Sequence, residues 1–287
     1  MAEILDGKKI ATQYKDQLKI KILQFKSEYG RDITLAVILV GENPASQIYV
    51  RNKIRSCEYV GVKSLSYSLP SSVSEGEVIE LVKTLGSDKS VDGILVQLPL
   101  PDGINESNVL KAIPPEKDVD GFLPINVGNL LLGNPSTCAC TPLGVIKMLD
   151  YADVDLSGKR AVVVGRSNIV GKPMAVLLLE RNCTVTVCHS KTKNLKEICL
   201  QADVLVSAIG RPKFITGDMV KDGAIVIDVG INRTENGIVG DVDFESSSKK
   251  ASLITPVPGG VGPMTIATLL LNTYDCAVRR EKDGLCR

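Results

Sequence analysis

The sequence contains no tryptophan, one histidine and only 4% aromatic residues, which leaves little material for platforms of exposed rings that stack sugars or bases. Its eight cysteines, at positions 57, 138, 140, 183, 188, 199, 276 and 286, form no Cys-x-x-Cys pair. With a single histidine beside them, no zinc or other metal site is expected. Charge of one sign is also missing. Lys and Arg total 34 against 33 Asp and Glu, a formal net charge of +1, so no global field draws in nucleic acid or an anionic membrane, and an anionic ligand has to be held locally. No apolar run approaches the ~18 residues that cross a bilayer. Charges interrupt Met1-Ala2-Glu3-Ile4-Leu5-Asp6-Gly7-Lys8-Lys9 where a signal peptide needs an unbroken apolar stretch. Reduced thiols and no leader point to the cytoplasm. What remains is ordinary globular composition, 44% hydrophobic and 23% charged, in 287 residues, enough for two domains of roughly 150.

Short apolar runs alternate with helical patterns, the rhythm of βαβ units and parallel sheet, so the expected class is α/β. Thr34-Leu35-Ala36-Val37-Ile38-Leu39-Val40 reads as a buried strand ended by Gly41. Asn43-Pro44 then supplies an N-cap and a first-turn proline for a helix running to about Glu58 or Tyr59, with Gly61 as its stop. A strand over 63–68, a helix over 75–85 and a buried strand over 93–98 follow. In the second half Arg160-Ala161-Val162-Val163-Val164 is a strand entering a glycine turn, and a helix opens near Pro173. Further strands are expected over 184–188, 203–208, 224–229 and 252–254, and Asn236-Gly237 marks a hairpin within 231–239. The domain boundary falls near 135–140, giving one domain over 1–137 and a second over 138–265. A helix over 141–149 follows the boundary, and an apolar helix over 264–278 carries the chain back, so that 266–287 packs on the first domain.

Several segments carry candidate chemistry. Gly165-Arg166-Ser167-Asn168-Ile169-Val170-Gly171 follows a strand and opens a helix, where backbone N–H groups meet phosphate. The Gly165-x5-Gly171 spacing is not G-x-G-x-x-G, and it serves a plain tight βα turn as well. After the next strand, His189-Ser190-Lys191-Thr192-Lys193 offers donors and positive charge where an NAD site commonly has an acid. That favours a 2′-phosphate and hence NADP, with Arg166 as a guanidinium partner. The same lysines also suit a solvated loop. On the first helix Ser46, Tyr49 and Lys53 share one face, fit for proton shuttling by a lysine beside a tyrosine or for an ordinary amphipathic surface. Gln97 ends a buried strand, where open α/β sheets gather ligands. Downstream, Asp120 beside Gly121 suits either an amino-pyrimidine ring or a turn, and Asp118 suits a turn. Finally, three glycines and three prolines in 255–265, Pro258 and Gly259 among them, shape a loop whose backbone can approach a flat ligand closely.

Together these segments resemble the methylenetetrahydrofolate dehydrogenase/cyclohydrolase family. The resemblance runs nearly the whole chain. It rests on Ser46-Gln47-Ile48-Tyr49-Val50-Arg51-Asn52-Lys53, on Asp92-Gly93-Ile94-Leu95-Val96-Gln97-Leu98-Pro99-Leu100-Pro101, on Lys117-Asp118-Val119-Asp120-Gly121-Phe122, on the 165–173 turn and on the 255–265 loop. It implies two α/β domains flanking a cleft, the second a Rossmann-like NADP-binding domain. It further implies oxidation of 5,10-methylenetetrahydrofolate to the methenyl compound and hydrolysis of that to 10-formyltetrahydrofolate. Lys53 would then manage proton transfer, Gln97 would hydrogen-bond and tune it, and Tyr49 would orient the folate. Asp120 would hold the pterin edge, with Pro258 and Gly259 lining the substrate side. Gly165, Arg166, Ser167, Ser190 and Ile231 would line the cofactor. A homodimer through the NADP domain is implied as well, with the Asn236-Gly237 hairpin as part of the contact. Ala139 stands where many members have proline in Pro-Cys-Thr-Pro, which bears on a local turn more than on chemistry. At this length the appended formate-ligating domain of some members is not expected. Two other readings compete: an NADP dehydrogenase of another substrate, such as a shikimate-type alcohol, and a catalytically silent NADP-binding protein. Asp120 as a pterin anchor separates the first, and intact Tyr49, Lys53 and Gln97 argue against the second. A dehydrogenase with little cyclohydrolase activity also stays open.

Overall fold

Apolar runs make the buried strands, whereas several strands at sheet edges are mixed or exposed. The computed structural model describes residues 2–235 and 237–286. Its strands are β1 (Glu3–Ile4), β2 (Thr34–Val40), β3 (Lys63–Leu69), β4 (Gly93–Val96), β5 (Arg160–Val164), β6 (Thr184–Cys188), β7 (Val204–Ser207), β8 (Ile225–Asp228), β9 (Asn232–Thr234), β10 (Gly237–Val239) and β11 (Leu253–Ile254). By contact the chain divides into two units. One contains Gln13–Asn129, Pro135–Cys138 and the chain from Leu269 onward; the other contains residues up to Thr12, Leu130–Asn134 and Ala139–Thr268. The second division falls inside the C-terminal helix Val261–Lys282. The start of the chain differs from the sequence expectation of one body over 1–137. Glu3–Ile4 pair in parallel with Leu253–Ile254, so backbone hydrogen bonds to a distant strand assign the N-terminus to the second unit.

The first unit is built on the parallel sheet β3-β2-β4. All seven residues of β2 are buried, as its unbroken apolar run requires of a central strand covered on both faces. Helix Pro44–Val60 leads from β2 to β3. The Asn43 side chain accepts from the N–H groups of Ala45 and Ser46, Pro44 occupies the first turn, and Gly61 ends the helix at φ 89°. At the foot of β4 the fully buried Asp92 accepts from both Arg31 Nη atoms (2.8 and 2.9 Å), from Arg280 Nη1 (2.7 Å) and from the Thr34 amide (3.0 Å). One carboxylate thereby ties residues 31 and 34, β4 and the C-terminal helix.

The second unit holds the parallel sheet β1-β11-β8-β7-β5-β6 and the antiparallel pair β9/β10. After β5 the chain goes to β6 on one side and then to β7 on the other, so strand order reverses between β5 and β7. In open α/β sheets that crevice, at the carboxyl ends of the strands, is where ligands bind. The hairpin expected at Asn236-Gly237 is present as β9/β10, though Asn236 lies outside the described residues. None of the described helices is long and apolar enough to cross a membrane.

Candidate active site

Helical spacing sets Tyr49 and Lys53 one turn apart on the face of Pro44–Val60. Lys53 Nζ donates to Gln97 Oε1 at 2.9 Å. Gln97 directly follows β4, and its amide N–H bonds the Ile38 carbonyl of the neighbouring strand at 2.9 Å. Its Nε2 donates to the Leu98 carbonyl at 2.7 Å, which fixes the side-chain amide with Oε1 turned to the lysine. Tyr49, Lys53 and Gln97 are each half-buried. The arrangement is a half-buried amino group held in place by a neutral acceptor.

Asp118 takes the turn role that the sequence leaves open for it. Asp118 is buried and pairs alongside Ile94 of β4. Its carboxylate accepts from the amides of Gly121 (3.0 Å) and Leu123 (2.9 Å) and from Asn126 Nδ2 (2.8 Å), so it forms the turn. Asp120 is half-buried within that turn. Lys117, which sequence reasoning passes over as a site, donates to the carbonyls of Leu85, Gly86 and Asp88 at 3.1, 2.7 and 2.6 Å. It thereby caps the C-terminus of helix Glu75–Ser87, whose last carbonyls have no partners within the helix. Burial brings Lys117 down to about 8.

The glycine turn of the second unit stands at the strand-order reversal. A Cβ on Gly165, at φ 132°, would lie 2.3 Å from the Ala208 carbonyl oxygen beyond β7, and one on Gly171 would lie 2.3 Å from Gly165 O. Only glycine permits that close packing. Ser167 Oγ accepts from the amides of Val170 (3.1 Å) and Gly171 (3.3 Å), leaving its own proton for an outside acceptor. Arg166, Ser167 and Ser190 are exposed, and no carboxylate pairs with Arg166 among the described residues. The Ser190 turn is shaped by His189, whose amide donates to Thr192 Oγ1 (2.8 Å) and whose Nδ1 accepts from Lys191 N (3.2 Å). His189 is a hydrogen-bonding neighbour, as its isolation suggests. An exposed guanidinium and two serine hydroxyls at the ends of β5 and β6 fit a nucleotide phosphate. Exposed Ile231 follows β8, and Pro258 and Gly259 lie in the loop after β11. These last residues belong to the second unit, whereas Tyr49, Lys53, Gln97 and Asp120 belong to the first.

Two buried acids, Asp228 and Asp241, escape sequence reasoning, because Asp near Gly reads as a turn. Asp228 accepts from the amides of Gly230 (3.0 Å), Asp241 (2.9 Å) and Val242 (2.9 Å). Burial, reinforced by the Asp241 charge, pushes it up to about 7 against those three bonds. None of the described cysteines is in a disulfide, and burial pushes Cys57 and Cys199 up to about 12.

Comparison with known proteins covers both units. Residues 5–120 match the family model of the tetrahydrofolate dehydrogenase/cyclohydrolase catalytic domain, and residues 139–281 match that of the tetrahydrofolate dehydrogenase/cyclohydrolase NAD(P)-binding domain. The bifunctional protein FolD of Agathobacter rectalis is 56% identical over 280 residues, which is 97% of this chain and 100% of that protein. The crystal structure of the bifunctional FolD methylenetetrahydrofolate dehydrogenase/cyclohydrolase from Campylobacter jejuni is 55% identical with a TM-score of 0.95, covering 98% of this chain and 100% of that one. The Trypanosoma brucei enzyme, complexed with NADP cofactor and inhibitor, is 38% identical with a TM-score of 0.94 over 98% and 99% of the two chains.

Proposed function

The chain belongs to the tetrahydrofolate dehydrogenase/cyclohydrolase family, and on that premise we propose how its residues divide the work of a bifunctional folate enzyme. The enzyme oxidises 5,10-methylenetetrahydrofolate to 5,10-methenyltetrahydrofolate with NADP and hydrolyses the product to 10-formyltetrahydrofolate. When bound, NADP accepts the hydride from the methylene carbon.

The observation that carries the residue assignment is the 2.9 Å bond from Lys53 Nζ to Gln97 Oε1. Hydrolysis needs a group that takes a proton from the attacking water and returns one as the ring opens. Lys53 is that group, and Gln97, its amide pinned by the Leu98 carbonyl, holds Nζ and sets its readiness to exchange protons. Tyr49, one turn before Lys53, packs against and orients the folate. Asp120 accepts from the amino-pyrimidine edge, presented by the turn that Asp118 closes, and Pro258 and Gly259 line the substrate side. In oxidation the protein's contribution is orientation and control of competing water. Gly165, Arg166, Ser167, Ser190 and Ile231 hold the cofactor, with Arg166 on the 2′-phosphate. The folate unit is read over 1–137 with the C-terminal helix and the NADP unit over 138–265, save that β1, paired with β11, goes with the NADP unit.

The working form is a cytoplasmic homodimer joined through the NADP-binding unit. The β9/β10 pair, with Ile238 exposed, supports that surface, and eight cysteines without a disulfide suit a reducing compartment. Light scattering of Ile238→Glu at micromolar concentration checks the dimer: a shift to monomer is expected, and an unchanged mass rejects this contact.

The activity is tested by absorbance with 5,10-methylenetetrahydrofolate and NADP or NAD, quenched in acid to trap the methenyl product, beside an assay of methenyl hydrolysis. NADP-dependent product formation together with accelerated hydrolysis is expected. Oxidation alone would leave a monofunctional dehydrogenase and remove the role given to Lys53.

A further inference from the structure

The Asp228 and Asp241 carboxylates form a relay between the loops that leave the second sheet. Asp228 closes β8, and its amide donates to Thr255 Oγ1, just beyond β11, at 2.8 Å. Its carboxylate takes the backbone amides of Asp241 and Val242 as the chain returns from the β9/β10 hairpin. The returning Asp241 is fully buried and passes the connection on. Its Oδ2 accepts from the amides of Ile209 (2.7 Å) and Gly210 (3.1 Å) and from Ser207 Oγ (3.4 Å). Its Oδ1 accepts from the Arg211 amide (2.9 Å) and from Asn232 Nδ2 (2.9 Å). Three consecutive backbone N–H groups thus converge on one carboxylate, the concave arrangement that ordinarily receives an external anion. Here the chain supplies the anion itself. No ion pair reaches either acid among the described residues.

The fit is tight on both sides. A Cβ on Gly230 would lie 2.1 Å from Asp241 Oδ1, and one on Gly240 would lie 1.8 Å from Asp228 Oδ2. Each acid therefore occupies the space left by a glycine beside the other. The loops they hold follow β7 and β8, and the β7 loop begins at Ala208, the residue against which Gly165 packs. That is the rim of the strand-order reversal, where a nucleotide is received.

We propose that Asp241 is a positioning residue for the dehydrogenase reaction, its carboxylate fixing loops 209–211 and 231–232 in the form that receives NADP. The proposal rests on the reading of the β5 turn and Ile231 as the NADP site. A purely structural acid would affect both activities alike, because unfolding removes both. A positioning acid separates them, because Lys53 and Gln97 lie in the other unit.

In the full-length enzyme, Asp241→Asn replaces one acceptor oxygen with an amide that faces N–H donors. The KM for NADP and the Kd for NADPH, read by its fluorescence, are expected to rise about tenfold, the equivalent of one charge-assisted hydrogen bond. Methenyl hydrolysis is expected to stay within about twofold. Asn232→Ala removes one donor while leaving the backbone cradle filled, and is expected to raise the same Kd about threefold with hydrolysis retained. This second variant decides the matter if the first fails to fold. Unchanged nucleotide affinity, or parallel loss of oxidation and hydrolysis, overturns the proposal. The wild-type titration comes first: absence of NADPH binding there overturns the nucleotide reading itself, and the positioning role with it.

Discussion

Lys53 Nζ and Gln97 Oε1 stand 2.9 Å apart, and the glutamine cannot turn away because its Nε2 is committed to the Leu98 carbonyl. Replacing Lys53 with methionine keeps an unbranched side chain one atom shorter and removes its exchangeable protons. Lys53→Met is expected to slow methenyl hydrolysis by about two to four orders of magnitude, the usual contribution of a positioned acid–base group. NADPH affinity should stay at the wild-type value. Hydrolysis persisting in the purified variant would remove Lys53 from the reaction.

Arg166 is exposed in the glycine turn, and among the described residues no carboxylate pairs with it. In Arg166→Ala the KM for NADP should rise about tenfold, the loss of one charge-assisted contact, while the KM for NAD barely moves. Parallel kinetics with both cofactors make the check. Equal effects would mean that Arg166 does not read the 2′-phosphate.

Asp92 has no exposed surface and serves two guanidinium groups and a backbone amide. Asp92→Ala leaves Arg280, itself 2% exposed, without its anion. A loss of about 3–5 kcal/mol in unfolding free energy is expected, the range for breaking a buried ion pair. Urea unfolding followed by circular dichroism measures it, and a loss below about 1 kcal/mol would place the pair in the weak class of surface bridges.

Lys117 satisfies three carbonyls at the end of a helix. Lys117→Met leaves them dry and unpaired, and should lower stability by about 1–3 kcal/mol. The urea midpoint should fall with the m-value unchanged.

Asp228 gives stability a pH dependence of defined sign. Its folded value, about 7, lies above the ordinary 3.8, so between those values the folded chain binds the proton more tightly than the unfolded chain. This group therefore favours the fold most below about pH 4, and its contribution declines as pH rises toward 7. Urea midpoints between pH 5 and 8, compared in the wild type and Asp228→Asn, isolate the slope. An identical slope in both proteins would assign the dependence to other groups.

Much of the framework was legible because its causes are local. The apolar run of β2, the Asn43-Pro44 start and the Gly61 stop fix a strand and a helix from residues within a turn of one another. The Asn236-Gly237 signal likewise marks β9 and β10. Helix Gly7–Tyr29 was harder to see, because its buried Ala11, Leu18, Ile22 and Phe25 recur at helical spacing but stand among lysines. Strand β1 had no signal at all. Two residues, both exposed, become a strand only because Leu253–Ile254 offer an edge.

The sequence by itself determined the α/β class and, by motif, the family. Those are set by periodicity, capping and the chemical identity of side chains, which act over a few residues. Only the tertiary structure decided which acids serve the turns, since Asp118, Asp228 and Asp241 look like any Asp near glycine until the amides they accept from are brought to them. The partners of Asp241 come from 207–211 and from Asn232, on loops that converge only once the parallel strands are aligned. A carboxylate has value in a dry interior only when donors surround it, and the assembled fold brings those donors together.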